Sequence, residues 1–271
     1  MNKMDNSSVD LARVEDKYIC KKEDFVETKH LVETHLQPYF PDPATIFCLN
    51  TSIYFDSPDL TFLKQHLNKL DSRRKIRIRT YAPNGSASHI YYIEVKSKND
   101  GTSTKTRLQI TEDMFHEVMQ TSQIPTDERI LIANEDMDHD EVLKQAKLIN
   151  YLMLVNKVKP VVEVTYKRYA YQEDENFRVT MDQQIKVKPL QLFNSQTIKG
   201  LQNEDLWDEL KEYGESFSNA ENFLLEVKYH TKTPPWFDDL IKKLDVDKEA
   251  FSKYVFAMYQ IFNNTLKLVR K

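Results

Sequence analysis

The sequence predicts an α+β fold in which helices pack over an antiparallel sheet, and three observations carry that reading. Eight stretches alternate in polarity with the period of two that marks a strand. Amphipathic segments of helical period fill the gaps between them. Short polar loops such as "PNGSAS" and "KNDGTS" join neighbouring strands closely enough for hairpins.

In chain order, "ARVEDKYIC" (12–20) is the first strand. "KKEDFVETKHLVETHLQPYF" follows as a helix with Phe25, Lys29, Val32 and Leu36 along one side, ending before Pro38 because proline cannot continue it. Four strands come next: "TSIYFDS" (51–57), "RKIRIRTYA" (74–82), "HIYYIEVKSK" (89–98) and "KTRLQIT" (105–111). Thr111 then has the side chain and position of a helix N-cap for "TEDMFHEVMQT", and "DEVLKQAKLINYLM" is helical by spacing. The strands "KPVVEVTYKRYAY" (159–171) and "NFRVTMDQQIKV" (176–187), the amphipathic helix "NEDLWDELKEY" and the strand "NFLLEVKYH" (222–230) lead to the last helix. There Phe251, Tyr254, Val255, Met258 and Phe262 form a stripe suited to a core. "NEDMDHDE" and "LFNSQTIKG" read as exposed loops. No repeat or linker divides the 271 residues, so 1–10 is expected as a flexible N-terminus and 11–271 as a single domain.

Composition narrows the function. With 38 basic against 42 acidic residues the net charge is −4, which argues against a surface coated with nucleic acid or anionic lipid. Any polyanion site must be local. The four glycines, Gly85, Gly101, Gly200 and Gly214, are too scattered for a Walker loop or a dinucleotide fold, so phosphate would have to be held by side chains. Cys20 and Cys48 lack metal-binding or nucleophilic companions and read as reduced packing residues. The start "MNKMDNSSVD" lacks an apolar signal region and no apolar run reaches the ~20 residues of a membrane helix, so a cytoplasmic protein without direct membrane insertion is expected. The seven histidines show no metal-ligand spacing. "DMDHDE" lacks the glycine turn of a calcium loop.

The strands share an anomaly. Lys75, Arg77 and Arg79 alternate with Ile76 and Ile78; Arg13, Glu15 and Lys17 alternate with Val14, Asp16 and Tyr18; Glu94, Lys96 and Lys98 with Val95 and Ser97; Lys105 and Arg107 with Thr106 and Leu108. Arg178, Thr180 and Asp182 alternate with Phe177, Val179 and Met181, and Glu226 and Lys228 with Leu225 and Val227. Each strand carries one apolar face and one face of cations sprinkled with carboxylates. Two architectures fit: a sandwich, whose charged faces are merely wet, and a closed barrel under helices, whose charged faces line a lumen. Cations crowded into a lumen repel one another unless a polyanion fills it, so the second arrangement implies its ligand.

The motifs "RVEDKY", "IYFDSPDL", "RIRTY", "IEVKSK", "KTRLQI", "YKRYAY", "FRVTMDQQI", "LLEVKYH" and "FSKYVFAM", in this order from about residue 12 to about residue 262, resemble the VTC domain. That domain is the polyphosphate polymerase module of the vacuolar transporter chaperone family, a branch of the triphosphate tunnel metalloenzymes. The resemblance implies an antiparallel eight-stranded tunnel wrapped by helices. It implies ATP and inorganic polyphosphate as partners rather than nucleic acid, with any membrane-protein partner unidentified. It implies phosphate contacts from Lys17, Arg77, Arg79, Lys96, Arg168, Arg178, Lys228, Ser252 and Lys253, with Arg13, Lys75, Lys98, Lys105 and Arg107 as additions. Glu226, helped by Glu15 or Glu94, would hold a divalent metal, manganese or magnesium. Arg168 has the strand parity opposite to Glu163 and Lys167, so a bulge decides which set faces inward. Ser252 and Lys253 read by helical spacing as a solvated face.

Relatives that hydrolyse triphosphate usually open with E-x-E-x-K; here Arg13 stands where the first carboxylate would be, as in the polymerase branch. A terminal phosphate oxygen is already an anion and needs no general base, whereas water does. The expected activity is therefore transfer of the γ-phosphoryl of ATP to a growing polyphosphate chain. The alternatives are a tunnel triphosphatase acting on tripolyphosphate or nucleoside triphosphate, and a non-catalytic polyphosphate-binding module. Tyr91, Tyr92 and Phe177 are read as lying opposite the cations, which argues against single-strand RNA.

Overall fold

The structure, a computed structural model, describes residues 14–87, 90–173, 176–193, 197, 200–201 and 206–269. Its strands are β1 (Val14–Lys21), β2 (Gln37–Pro38), β3 (Cys48–Asp56), β4 (Arg73–Pro83), β5 (Tyr91–Asn99), β6 (Thr102–Ile110), β7 (Lys159–Gln172), β8 (Phe177–Pro189) and β9 (Asn222–Tyr229). Among the described residues the helices are α1 (Phe25–His35), α2 (Thr61–Leu67), α3 (Glu112–Thr121), α4 (Glu128–Ala133), α5 (His139–Val155), α6 (Leu206–Glu215), α7 (Pro235–Leu244) and α8 (Lys253–Val269). All eight strands read from the sequence are present. The two-residue β2 and the short α2 and α4 are too brief to register in that reading; α7, which is amphipathic with Phe237 and Leu240 buried, is an element it left out. Residues 1–13, and with them Arg13 and the expected flexible N-terminus, lie outside the described residues, as does most of "LFNSQTIKG".

The sheet is antiparallel throughout, in the order β1-β9-β8-β7-β3-β4-β5-β6, with β2 added to β7. The expected hairpin turns are there for a local reason. Asp100 and Gly101 take φ of 47° and 81°, and Asn84 and Gly85 take 51° and 80°, the left-handed pair that matches the twist of paired strands. The sheet curls on itself: Glu15 of β1 lies 3.9 Å from Lys96 of β5, although five strands separate the two in the hydrogen-bonded order. The curl stops short of the expected closed barrel. Among the described residues β1 and β6 form no ladder with each other; β1 instead makes a backbone bridge from Tyr18 to Lys248, and the Lys17 carbonyl accepts from the Glu249 N–H at 2.8 Å.

Burial follows the alternation. Ile76, Ile78, Ile93, Val95, Leu108 and Ile110 point to the convex side and pack under α3, α4 and α5. Tyr18, Cys20, Val179, Leu225 and Val227 do the same under α1 and α7. The concave side is not cationic throughout, which corrects the expectation of a wholly charged lumen. Tyr54, Val162, Val164 and Leu224 line one part of it and pack against α8, whose stripe of Phe251, Tyr254, Val255, Met258 and Phe262 is buried as its spacing predicts.

A bulge lets both parts share one surface. The β7–β8 register shifts between Thr165 and Lys167, and Gln184 of β8 takes a left-handed φ of 56°. Asp182 on one side of that kink and Ile185 on the other therefore both face inward, although their positions differ in parity. Asp56 ties the helices to the sheet: its carboxylate accepts from the backbone N–H of Ser57, Phe62 and Leu63, and from the Tyr254 hydroxyl at 2.5 Å.

Truncating the convex core tests this assignment of faces. Ile78→Ala, at a position 1% exposed, should cost about 2–5 kcal/mol in urea denaturation. Leu148→Ala on the outer side of α5, 49% exposed, should stay within about 0.5 kcal/mol.

Candidate functional site

The cationic part of the concave face is built by strand register. Lys75, Arg77 and Arg79 of β4 lie directly opposite Lys96, Glu94 and Tyr92 of β5, and these lie opposite Lys105, Arg107 and Gln109 of β6. Across the hollow, Lys17 of β1 pairs with Glu226 of β9, Glu15 pairs with Lys228, and Lys228 and Glu226 face Arg178 and Thr180 of β8. Arg168 of β7 joins this side opposite Asp182. The match to the family motif, rather than the parity of Glu163 and Lys167, thus places Arg168 correctly. Lys167 lies on the other face, its Nζ 3.9 Å from the Phe47 ring centroid.

Four carboxylates hold the cations in place. Glu94, 2% exposed, takes Arg77 at 2.7 Å, Lys105 at 2.9 Å and Arg107 at 3.6 Å. Glu15 takes Lys17 at 3.0 Å and Lys228 at 3.1 Å. Asp182 receives two hydrogen bonds from Arg168, at 2.6 and 2.7 Å, and the Lys253 ammonium at 2.6 Å. Sequence spacing missed Asp182 as part of the site, because its partners are distant in the chain. Glu226 differs from the other three. Lys228 at 3.6 Å and Arg168 at 4.0 Å are its nearest cations, both beyond hydrogen-bond length.

The start of α8 enters the hollow, against the expectation that Ser252 and Lys253 sit on a solvated helical face. Ser252 is buried and its Oγ accepts from Lys75 Nζ at 2.8 Å. Lys17 Nζ donates to the Phe251 carbonyl at 3.0 Å. Lys253 lies on Asp182 and 4.6 Å from the Tyr166 ring centroid. Helical spacing could not show this, since the chain turns inward just before the helix begins. Arg178 lies at the rim, donating to Gln172 at 2.7 Å and 3.9 Å from the Tyr39 ring centroid. Lys98 shares the face of Lys96 near the β5–β6 turn.

One aromatic reading is overturned. Tyr91 and Phe177 do lie opposite the cations, stacked on Phe115 and buried beside Phe237 respectively. Tyr92 lies among the cations, with the Arg107 guanidinium 3.7 Å from its ring centroid. Its even position is that of Glu94 and Lys96, so the alternation itself carries the signal.

The ion pairs fix the charge states. Burial opposes ionisation of Glu15, but Lys228, Lys17 and Lys96 outweigh it and hold its carboxyl far below the usual range. Burial likewise opposes Glu94, where Arg77 and Arg79 prevail. Asp182 is held at about 2 against burial by Arg168 and Lys253. Lys75 has no carboxylate partner among its hydrogen bonds. Enclosure first, then Lys17, Lys96 and Arg77, push it well below the ordinary lysine value. Enclosure lowers Lys96 and Lys105 too, despite Glu15 and Glu94.

Glu226 has the character of a divalent-metal ligand. Its oxygens make only long contacts, Glu15 shares Lys228 with it, and the buried hydroxyl of Thr180, directly across the strand pair, has no hydrogen-bond partner. Glu94, by contrast, is taken up by cations. No group of three or more His, Cys, Asp or Glu side chains is gathered for a metal among the described residues, so further ligands would come from phosphate and water.

The VTC domain family model matches residues 12–262. Vacuolar transporter chaperone complex subunit 4 of Schizosaccharomyces pombe is 24% identical over 276 residues, which cover 93% of this chain and 38% of that protein. The chain thus spans well under half of that relative. Among solved structures, a Bacillus halodurans protein provisionally assigned as an adenylate cyclase superposes with a TM-score of 0.47 at 13% identity, over 89% of this chain and 94% of that one. A Pyrococcus horikoshii protein superposes at 0.41 with 14% identity, over 94% and 99%. No helix among the described residues is long and apolar enough to cross a membrane.

The depressed lysines give a signed prediction. An entering polyanion stabilises their charged forms and raises their pKa values, so tripolyphosphate binding should take up protons. Affinity should fall as pH rises through the folded-state values of these lysines. Titration calorimetry in buffers of differing ionisation enthalpy reads the uptake directly. Lys75→Met should shrink it and raise the melting temperature of the ligand-free protein, because an enclosed charge is removed.

Proposed function

This chain belongs to the VTC domain family, and we propose that it is an ATP-dependent polyphosphate polymerase that transfers the γ-phosphoryl of ATP to a growing polyphosphate chain. The observation that carries the reading is the inward row Lys75, Arg77 and Arg79, facing Lys17, Lys228 and Arg168 across one hollow. Such a surface is stable only with its counter-charges, and a polyphosphate supplies them along a line. The name of the fission-yeast relative, a subunit of a vacuolar transporter chaperone complex, points the same way.

In this reading Arg77 and Arg79 grip nonbridging oxygens of the donor's triphosphate, Arg77 those of the transferring group, using planar forks that suit phosphate. Lys17, Lys96 and Lys228 neutralise the charge that gathers on the equatorial oxygens and on the leaving ADP. Arg168, fixed by Asp182 with Lys253 beside it, holds the neighbouring phosphate of the chain. Lys98 and Arg178 extend the track toward the rims, Lys105 and Arg107 flank it on β6, and Lys75, donating to Ser252, continues the β4 row beyond Arg77. The terminal oxygen of the acceptor chain attacks phosphorus as the bond to ADP breaks, and being anionic already it gives up no proton. Glu226 with Glu15 would hold a manganese or magnesium ion, whose charge would add electrostatic stabilisation to the transferring phosphoryl group.

Purified protein with ATP and manganese should produce long-chain polyphosphate on a gel. Arg77→Ala and Glu226→Ala should each lower the rate by about a hundredfold or more, while thermal unfolding still shows a folded protein. Orthophosphate as the only product, or full activity in both variants, would overturn the assignment.

A further inference from the structure

The cationic rows end together. Along β4 the inward sequence is Lys75, Arg77, Arg79 and then Tyr81; along β5 it is Lys96, Glu94 and then Tyr92; along β6 it is Lys105, Arg107 and then Gln109. Register sets Arg79, Tyr92 and Gln109 side by side across three strands, with Tyr81 one step farther on. At this one level the surface changes from cations to aromatic rings and an amide. A bare phosphate chain could use the hydroxyl and amide hydrogens at this level but not the faces of the two rings.

The geometry points to a shelf for the base of a nucleoside triphosphate, formed by Tyr81, Tyr92 and Arg107. The rings of Tyr81 and Tyr92 lie 6.0 Å apart at 67°, and both side chains are half-buried rather than sealed in the core. The Arg107 guanidinium lies over the Tyr92 ring, 3.7 Å from its centroid, and 5.7 Å from that of Tyr81. Its Nε is buried and makes no hydrogen bond, although the ion pair with Glu94 at 3.6 Å keeps it in place. A buried guanidinium N–H without an acceptor is costly, and a ligand supplying one would repay it. Planar heterocycles stack on aromatic and guanidinium planes whatever their identity, so the shelf would accept any of the common bases.

Spacing is compatible with the assignment. Side chains two apart on a strand are about 6.6 Å apart, so Tyr81 lies roughly 13 Å from Arg77, within the length of an extended nucleoside triphosphate. The donor would enter with its phosphates toward Lys75 and Ser252 and its base at the Tyr81 end. A nucleotide and a phosphate chain would then differ in where they are anchored: the cations bind both, and the shelf binds only the nucleotide.

This inference rests on ATP being the donor, and its test separates the two readings. Affinities for ATP and for tripolyphosphate, both with manganese, are measured by calorimetry for the wild-type protein, Tyr92→Ala and Tyr92→Phe. Tyr92→Ala should weaken ATP about tenfold and leave tripolyphosphate within twofold, while Tyr92→Phe retains ATP affinity. In the wild type, GTP and CTP should bind within a few-fold of ATP. Equal losses for both ligands would mean that Tyr92 only positions Arg107, and unchanged ATP affinity would mean that the rings touch no base. Either result overturns the shelf and leaves polymerisation standing. Failure of the wild type to bind ATP at all would remove the donor and the shelf together.

Discussion

Repulsion among like charges on the inner side of one curled sheet is the constraint around which this molecule is arranged. Two cations 4 Å apart repel by about 4 kcal/mol at an effective dielectric near 20, and here they come in rows. Glu94, Glu15 and Asp182 make the rows tolerable. Each takes two or more cations, and each is held ionised against burial by the charges it serves. The compensation is incomplete. Lys75 is left with a serine hydroxyl in place of a counter-ion, and Lys17 with a backbone carbonyl besides Glu15. A site poised this way gains most from a ligand that carries negative charge along its length.

The same constraint explains the outside. Strands whose inner faces are charged must bury their other faces, and the convex side is accordingly covered by α3, α4 and α5 at one end and by α1 and α7 at the other. The start of α8 has a double part. Its apolar stripe fills the uncharged portion of the hollow, and Phe251, Ser252 and Lys253 meet Lys17, Lys75 and Asp182 from three different strands. The open seam between β1 and β6 is thus crossed by the Glu15–Lys96 ion pair and filled by the segment ahead of α8, whose Glu249 N–H donates to the Lys17 carbonyl of β1.

Much of this was legible in the sequence because the strand period is strict. The alternation of Ile76 and Ile78 with Arg77 and Arg79 names the two faces, and the hairpin loops fix which strands are neighbours. What alternation cannot give is which face curves inward, since that depends on helices far along the chain. It also misleads wherever the period breaks. The kink at Gln184 brings Asp182 and Ile185 to one side, and the turn ahead of α8 carries Ser252 inward although helical spacing reads it as solvated. Alternation puts Asp182 on the charged face but does not show its role, which lies in Arg168 and Lys253, fourteen and seventy-one positions away. Tyr92 is a different case: its parity was readable, and it shares the face of Glu94 and Lys96.

The most direct test of the inward-cation account is a crystal structure of the protein grown with tripolyphosphate and manganese. The account predicts the phosphate chain within the curl of the sheet, its oxygens on Arg77, Arg79, Lys96 and Lys228, with the ion against Glu226. Tripolyphosphate held only on the convex surface, or a hollow filled by apolar side chains where those four cations should stand, would contradict it.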